Sequence, residues 1–320
     1  MATFAKTFLA MLLAGVLAFS VVACGGGDGG DEDTAQPADT TQPGDTTQPD
    51  TAQPDTTPAD VPADTACPTG NAAAILGTDK SFTGVLIDFQ TRKPLGGATL
   101  HILDNASGRE TGETVTSTAD GVVMAQFKAG VSKVGFKVVM AGQRDTYQLH
   151  YKADGQNETL WSVSNGTYVA APALAGISID EAKGILAGGL YYTNDAGEEE
   201  GVGCAQIRVL SEADPEAFAT GNIRYMNDAG LPTTLDKQDG VNPQVPFFIV
   251  GNIPETKDEC GNDAPVTVTA QMNGTAIGDT YVFSKAGAIF IGNIFTYTAD
   301  TAPEGVAPVT ANPQPAGCGQ

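Results

Sequence analysis

Short runs of alternating apolar and polar residues dominate the chain from about residue 80 onward. Residues 82–88 (FTGVLID), 98–103 (ATLHIL), 121–127 (GVVMAQF), 134–140 (VGFKVVM) and 146–151 (TYQLHY) are β-favouring, and Gly, Asp, Asn or Pro separates them. Alternate side chains of an extended strand share a face. That period places Ala98, Leu100 and Ile102 on one face, and Val134, Phe136 and Val138 on another. Further runs at 184–192 (GILAGGLYY), 202–209, 245–254, 265–270, 281–283 and 288–291 continue the pattern. Short strands with turn signals at regular spacing predict a β-sandwich or barrel.

Residues 153–183 break the rhythm and read as a connector with a short helix. The small-residue run after Ser164 favours the helix, Gly176 suits its C-terminal end, and Pro172 limits its length. The simpler reading packs this connector against the flanking sheets. A second reading makes Trp161, Tyr168 and Leu174 a ligand wall.

The N-terminus has a different pattern. In residues 1–23 a single cation, Lys6, precedes an apolar run from about Phe8 to Ala23. The run is too short and too close to the terminus for a membrane span, and reads as the apolar region of a secretory signal. Val21-Val22-Ala23-Cys24 resembles the bacterial lipobox. The resemblance implies cleavage before Cys24 and acylation of its thiol, and several acyl chains together anchor stably. Gly25 rather than Asp follows the cysteine, which by the same resemblance points to an outer-membrane lipoprotein, periplasmic or surface-exposed.

Charge sharpens this division. The chain has 38 acidic and 16 basic residues, a net charge of −22. Residues 25–66 hold ten of the acidic groups and no basic one, and repeat Asp-Thr-Thr-Gln-Pro. With almost no apolar side chain, residues 24–66 cannot form a core and read as a disordered, extended tether behind lipidated Cys24. The acidity excludes nucleic acid as a partner. The remaining partners are the membrane, through the lipid anchor, and a protein or glycan of the envelope.

Four cysteines remain in an exported chain, which suggests two disulfides. Three pairings exist. Cys67–Cys318 with Cys204–Cys260 is preferred, because this nested scheme staples the ends of the folded region and closes one internal loop. Zinc is disfavoured, since no C-x-x-C pair is present and neither histidine neighbours a cysteine.

Gly84-Val-Leu-Ile-Asp88, Thr91, Pro94-Leu95-Gly96-Gly97-Ala98 and the later Thr118-Ala119-Asp120-Gly121-Val122 together resemble the opening of a carboxypeptidase regulatory-like domain. This family of prealbumin-like (transthyretin-like) sandwiches has about seven strands. Arg92 departs from it, standing where glycine is usual, and Val123 stands where an aromatic is usual. Residues 202–209 echo 95–102, with Cys204 at the position of Gly97. The resemblance implies an all-β chain of two tandem prealbumin-like (Greek-key) sandwiches: 67–152, the connector 153–183, and 184–298, followed by a Pro-rich tail 299–320 carrying Cys318.

The chemical inventory is thin. His101 and His150 are the two histidines, and both read as structural. No nucleophile elbow, phosphate loop, dinucleotide fingerprint or metalloprotease motif is present, so no catalytic residue and no cofactor is expected. Acidic loops at Asp195/Glu198/Glu199/Glu200, Asp236/Asp239/Asn242 and Asp258/Glu259/Asn262/Asp263 have calcium-like oxygen donors without calcium-loop spacing, so no metal is assigned. The sequence therefore reads as a non-enzymatic envelope lipoprotein that presents binding or structural modules on a tether. The alternatives are a small-ligand carrier, which needs an apolar pocket, and an accessory subunit of an envelope hydrolase.

Overall fold

The computed structural model describes residues 67, 69–211, 222–233, 238 and 240–318. The signal segment, Cys24, the tether, Asp236 and Asp239 lie outside the described residues. The chain is nearly all β. Its first half holds β1 (Leu76–Asp88), β2 (Thr99–Asp104), β3 (Glu110–Thr116), β4 (Val122–Phe127), β5 (Lys133–Val139), β6 (Gln143–Arg144), β7 (Thr146–Lys152) and β8 (Glu158–Ser164). A helix, α1 (Asn165–Leu174), follows. Then come β9 (Gly184–Thr193), β10 (Glu199–Gly201), β11 (Gln206–Ser211), β12 (Ile223–Met226), β13 (Pro232–Thr233), β14 (Phe247–Ile253), β15 (Val266–Met272), β16 (Thr275–Val282), β17 (Ile289–Ile291) and β18 (Ile294–Thr296).

In the first half the sheet β4-β1-β8-β6 is matched by the strand run β3-β2-β5-β7. The alternation puts Phe82 and Leu86 of β1, Leu100 and Ile102 of β2, and Val134, Phe136 and Val138 of β5 into one buried cluster with Ala98. Phe82 meets Phe136 with ring centroids 5.0 Å apart. The resemblance motif has a steric basis here. A Cβ on Gly96 would lie 2.5 Å from the Ala119 carbonyl oxygen, and one on Gly121 (φ +76°) would lie 2.7 Å from the Leu86 carbonyl oxygen. The echo in the second half is geometric as well. Gly97 and Cys204 both have positive φ, at 80° and 59°. Each precedes a fully buried alanine, Ala98 or Ala205, that leads into β2 or β11.

Several strands depart from the sequence expectation, and β3 and β8 show why. β3 (ETGETVT) is a polar edge strand that pairs with β2 alone, so no apolar alternation announces it. β8 lies inside the stretch expected as a connector, yet it pairs in parallel with β1 from Gly84–Glu158 to Asp88–Ser162.

The two halves also share strands. β17, three residues from the second half, pairs in parallel with β7 on one side and β9 on the other. The sheet of the first half thereby runs on into β9, β14 and β12. Leu103 and Tyr147 from the first half join the buried cluster of the second, and Tyr147 stacks on Phe290 at 4.9 Å.

The disulfides correct the nested scheme. Cys67 pairs with Cys260 and Cys204 with Cys318, at Cα separations of 5.3 and 5.9 Å. Cys67–Cys318 and Cys204–Cys260 do not form, because the two ends of the folded region do not meet. The N-terminal segment runs beside β3, where the Ala72 amide donates to the Glu110 carbonyl at 2.9 Å. The tail runs beside β9 and β10. There the Tyr192 hydroxyl donates to the Thr310 carbonyl at 3.2 Å, and Asn312 Nδ2 donates to Glu200 Oε2 at 3.2 Å.

A non-reducing peptide map is expected to recover the 67–260 and 204–318 links. Replacing Cys204 and Cys318 together by Ala should lower stability by about 2–4 kcal/mol in chemical denaturation.

Candidate functional site: an apolar groove beside the helix

β9, β14 and β17 read as near-continuous apolar sequence because both of their faces are covered. One face sends Leu186, Leu190, Phe248, Val250 and Phe290 into the core of the second half. The other carries Ile185, Ala187 and Tyr191 of β9, Phe247 and Ile249 of β14, and Ile289 and Ile291 of β17. α1 packs on this second face.

The helix is well ended. Ser164 caps its start by accepting from the Thr167 amide at 3.1 Å. At its end the Gly176 amide donates to Ala173 O at 3.0 Å and the Ile177 amide to Pro172 O at 2.9 Å, the paired bonds of a Schellman turn, with Gly176 at φ +65°. Ten residues make a helix about 15 Å long, and this leaves part of the sheet face uncovered. The uncovered part is a groove of about 190 Å³. Leu174 and Leu231, 53% and 39% exposed, stand at its margin.

Trp161, Tyr168 and Leu174, the residues of the ligand-wall reading, all line the groove. Trp161 is set in place by the buried Gln148, whose side-chain amide imitates a strand edge. The Trp161 amide donates to Gln148 Oε1 at 2.8 Å, and Gln148 Nε2 donates to the Trp161 carbonyl at 2.9 Å. Phe89 packs against Trp161 at 5.7 Å, edge to face. Tyr168 is buried, with the Arg144 guanidinium 4.1 Å from its ring centroid.

Arg92 completes the wall, with its guanidinium 4.4 Å from the Trp161 ring centroid. It sits at φ +59°, a conformation that costs a residue with a Cβ roughly 1–2 kcal/mol. The turn that holds it is built by Asp88. Asp88 Oδ1 accepts from the Gln90 and Thr91 amides at 3.1 and 2.7 Å, and the Arg92 amide donates to the Asp88 carbonyl at 2.9 Å. Arg92 is the one charged side chain among the described residues lining the groove. Burial lowers its pKa, against the opposing influence of Asp88 and Tyr191. Burial also pushes the Tyr191 hydroxyl up to about 12, with Glu199 adding to the effect. Composition and spacing did not single out Arg92 as a site residue. The signal was its place where the resembled family carries glycine, since strained non-glycine residues cluster at functional sites.

The other sequence candidates fall elsewhere. His101 Nδ1 pairs with Glu110 Oε2 at 2.9 Å, and Lys137 reaches Glu110 and Asp145 at 3.1 and 3.3 Å. His150 joins the two halves. Its ring meets Tyr281 edge to face at 4.3 Å, its Nε2–H donates to the Tyr281 carbonyl at 3.1 Å, and Asn105 Nδ2 donates to the Tyr281 hydroxyl at 2.8 Å. Burial lowers the His150 pKa against the favouring Tyr281 carbonyl. Lys133 adds to the lowering and Asp279 opposes it.

Among the acidic loops, Asp258 Oδ1 accepts from the Cys260 and Asn262 amides, and Asp263 pairs with Lys257 and Lys285. No group of three or more His, Cys, Asp or Glu among the described residues is placed to hold a metal ion. A second, polar cleft of about 270 Å³ adjoins this ion cluster, where Asp263 is engaged with Lys257 and Lys285 and Glu110 with His101 and Lys137. Arg109 also donates there to the Gly70 carbonyl. The cleft reads as a clasp beside Cys67–Cys260.

No family model matches the chain, and no curated protein matches it. Several solved structures align over much of its length. The shaft pilin SpaA from Lactobacillus rhamnosus GG covers 72% of this chain and 99% of its own, at 12% identity and a TM-score of 0.21. The minor pilin GBS52 of Streptococcus agalactiae covers 72% and 100%, at 10% identity and a TM-score of 0.23. The Bacillus anthracis TIE protein covers 68% of this chain at 14% identity and a TM-score of 0.20, and the match spans 34% of that protein. Superpositions at this level carry no inference about this chain.

Gln148→Leu should destabilise the protein by about 2 kcal/mol or more in denaturant titration, since each buried polar group orphaned at Trp161 costs roughly 1–3 kcal/mol. The His150 shift sets a sign for pH dependence. Its folded-state pKa lies below the unfolded value of about 6.5, so its contribution is complete above that pH and is lost as pH falls through the folded-state pKa. His150→Asn tolerates the positive φ of 71°. Its melting temperature should fall less than the parent's between about pH 7.5 and about pH 5.5.

Proposed function

We propose that the chain is a non-enzymatic, exported binding module, held at the cell envelope through lipidated Cys24 and the 24–66 tether, with the groove beside α1 as its ligand site. The observation that carries the reading is the groove itself: an apolar trough walled by Trp161, Tyr168, Phe247 and Ile291, with few polar groups converging on it. Small-ligand sites have this make-up. Two disulfides suit an oxidising compartment. No helix among the described residues is long and apolar enough to cross a membrane, and the lipobox-like segment supplies the anchor instead.

The groove bears on the choice among binding roles. A glycan requires many hydrogen-bond partners. Besides the tips of Trp161, Tyr168 and Tyr191, Gln90, Thr167 and Asn293 are the uncharged polar side chains among the described residues of this wall, and the preponderance of apolar lining favours a small, largely apolar ligand. The resemblance to the accessory domain of carboxypeptidases supports a role without chemistry of its own.

The chain has one tryptophan, so intrinsic emission reports on the groove. A neutral aromatic solute, cinnamyl alcohol, is expected to shift the emission of Trp161 saturably in the full chain. Ala187→Phe, which fills the groove, should abolish that response without unfolding the protein. In a bacterial host that exports it, the mature chain should begin at acylated Cys24 and fractionate with membranes, whereas Cys24→Ser should not. Absence of a saturable response would overturn the groove assignment, and membrane retention of Cys24→Ser would overturn the anchor.

A further inference from the structure

We infer that His150, Asn105 and Tyr281 form a proton-operated latch between the two halves, closed while the imidazole is neutral and released in acid. None of the three lines the groove, so the latch stands apart from ligand binding. A bulge in β7 delivers the histidine. Phe136 of β5 pairs with Gln148 and Val134 with Tyr151, which leaves Gly135 opposite both Leu149 and His150. His150 sits in that bulge at φ +71°. A bulge re-aims a side chain out of the strand alternation, and here the ring turns to meet Tyr281 of β16 edge to face at 4.3 Å.

Each proton of the latch follows from the partners. The His150 backbone amide donates to Asn105 Oδ1 at 2.7 Å, so the other end of this buried carboxamide is Nδ2. Asn105 Nδ2 donates to the Tyr281 hydroxyl oxygen at 2.8 Å, and the Tyr281 hydroxyl donates to the Asn105 carbonyl at 3.0 Å. On the far side of the ring, the Tyr281 carbonyl lies 3.1 Å from Nε2. A carbonyl only accepts, so Nε2 carries the ring proton and Nδ1 is a bare lone pair. That lone pair lies 3.4 Å from Asn105 Nδ2, a donor. The neutral imidazole therefore matches its surroundings on both nitrogens. The protonated one does not, because its new Nδ1–H faces another N–H. The carboxamide cannot turn its oxygen to meet it without setting its NH₂ against the His150 amide. The charged groups nearby do not lift the conflict. Burial disfavours the imidazolium first; the Tyr281 carbonyl favours it, Lys133 of β5 repels it and Asp279 of β16 attracts it. Asp104 of β2, next to Asn105, is engaged with the Ser107 amide and hydroxyl. β17 and Cys67–Cys260 hold the halves together independently, so the release is local.

The test follows the His150 ring by NMR and amide exchange at residues 104–109 and 279–283 in the full chain, corrected for the intrinsic exchange rate at each pH. In the parent, His150 should titrate below about 6.5. Protection of both segments should fall about tenfold per pH unit from there to the folded-state pKa and then level off. Asn105→Asp keeps an acceptor for the His150 amide and sets a carboxylate oxygen at Nδ1. Its His150 should titrate above about 6.5, and both segments should stay protected at about pH 5.5. His150→Asn, which tolerates the positive φ, identifies the ring signal by its loss, and its protection should not vary with pH. A parent His150 that titrates at or above about 6.5 would overturn the inference, as would protection in the parent that ignores pH. So would pH dependence that survives in His150→Asn. Acid release in Asn105→Asp equal to the parent's, or loosening at every pH, would reduce Asn105 to a structural role and overturn it too. If Asn105→Asp does not fold, the parent and His150→Asn decide.

Discussion

The join between the two halves depends on three residues, Ile289, Phe290 and Ile291, inserted as a parallel strand between β7 and β9. Their backbone joins the hydrogen-bond ladders of the two halves, and their side chains point both ways. Phe290 goes to the core of the second half, where it stacks on Tyr147. Ile289 and Ile291 go to the face under α1. A parallel pair requires a crossover connection rather than a tight turn, so this strand arrives from the far end of the chain. The groove follows from that placement, because the apolar face it completes is wider than a ten-residue helix covers.

Much of the fold was legible in the sequence where burial is one-sided. The alternation in β2 and β5 names the inward residues correctly, Leu100 and Ile102 on one strand and Val134, Phe136 and Val138 on the other. The short helix and its Gly176 end were legible from local chemistry alone. Three kinds of element were not. β3 is polar because it lies at an edge. β8 is parallel to β1 and satisfied partly by the Gln148 side chain, so it shows no period of its own. The disulfide partners depend on where each terminus travels, which no local pattern encodes. The N-terminal segment and the tail are tied to different edges, and the crossed pairing follows.

The site was half legible. The sequence favoured a packed connector and offered Trp161, Tyr168 and Leu174 as a wall only as the second reading; all three line the groove. Phe247, Ile289 and the other sheet residues reach the groove only through long-range strand pairing, which a single sequence does not display. Arg92 lies between these cases. Its departure from glycine was visible, but its positive φ and the indole beside its guanidinium were not.

The crossed disulfides also decide how the molecule bears load. Cys67 is bonded to Cys260 and Cys318 to Cys204, so both ends of the folded region are fastened to its second half. A pull applied at Cys67 passes across the sulfur bridge into the loop at Cys260. It does not run through β1 to β8. The first sandwich lies inside the covalent loop that this bridge closes, off the covalent path from Cys67 to Cys260.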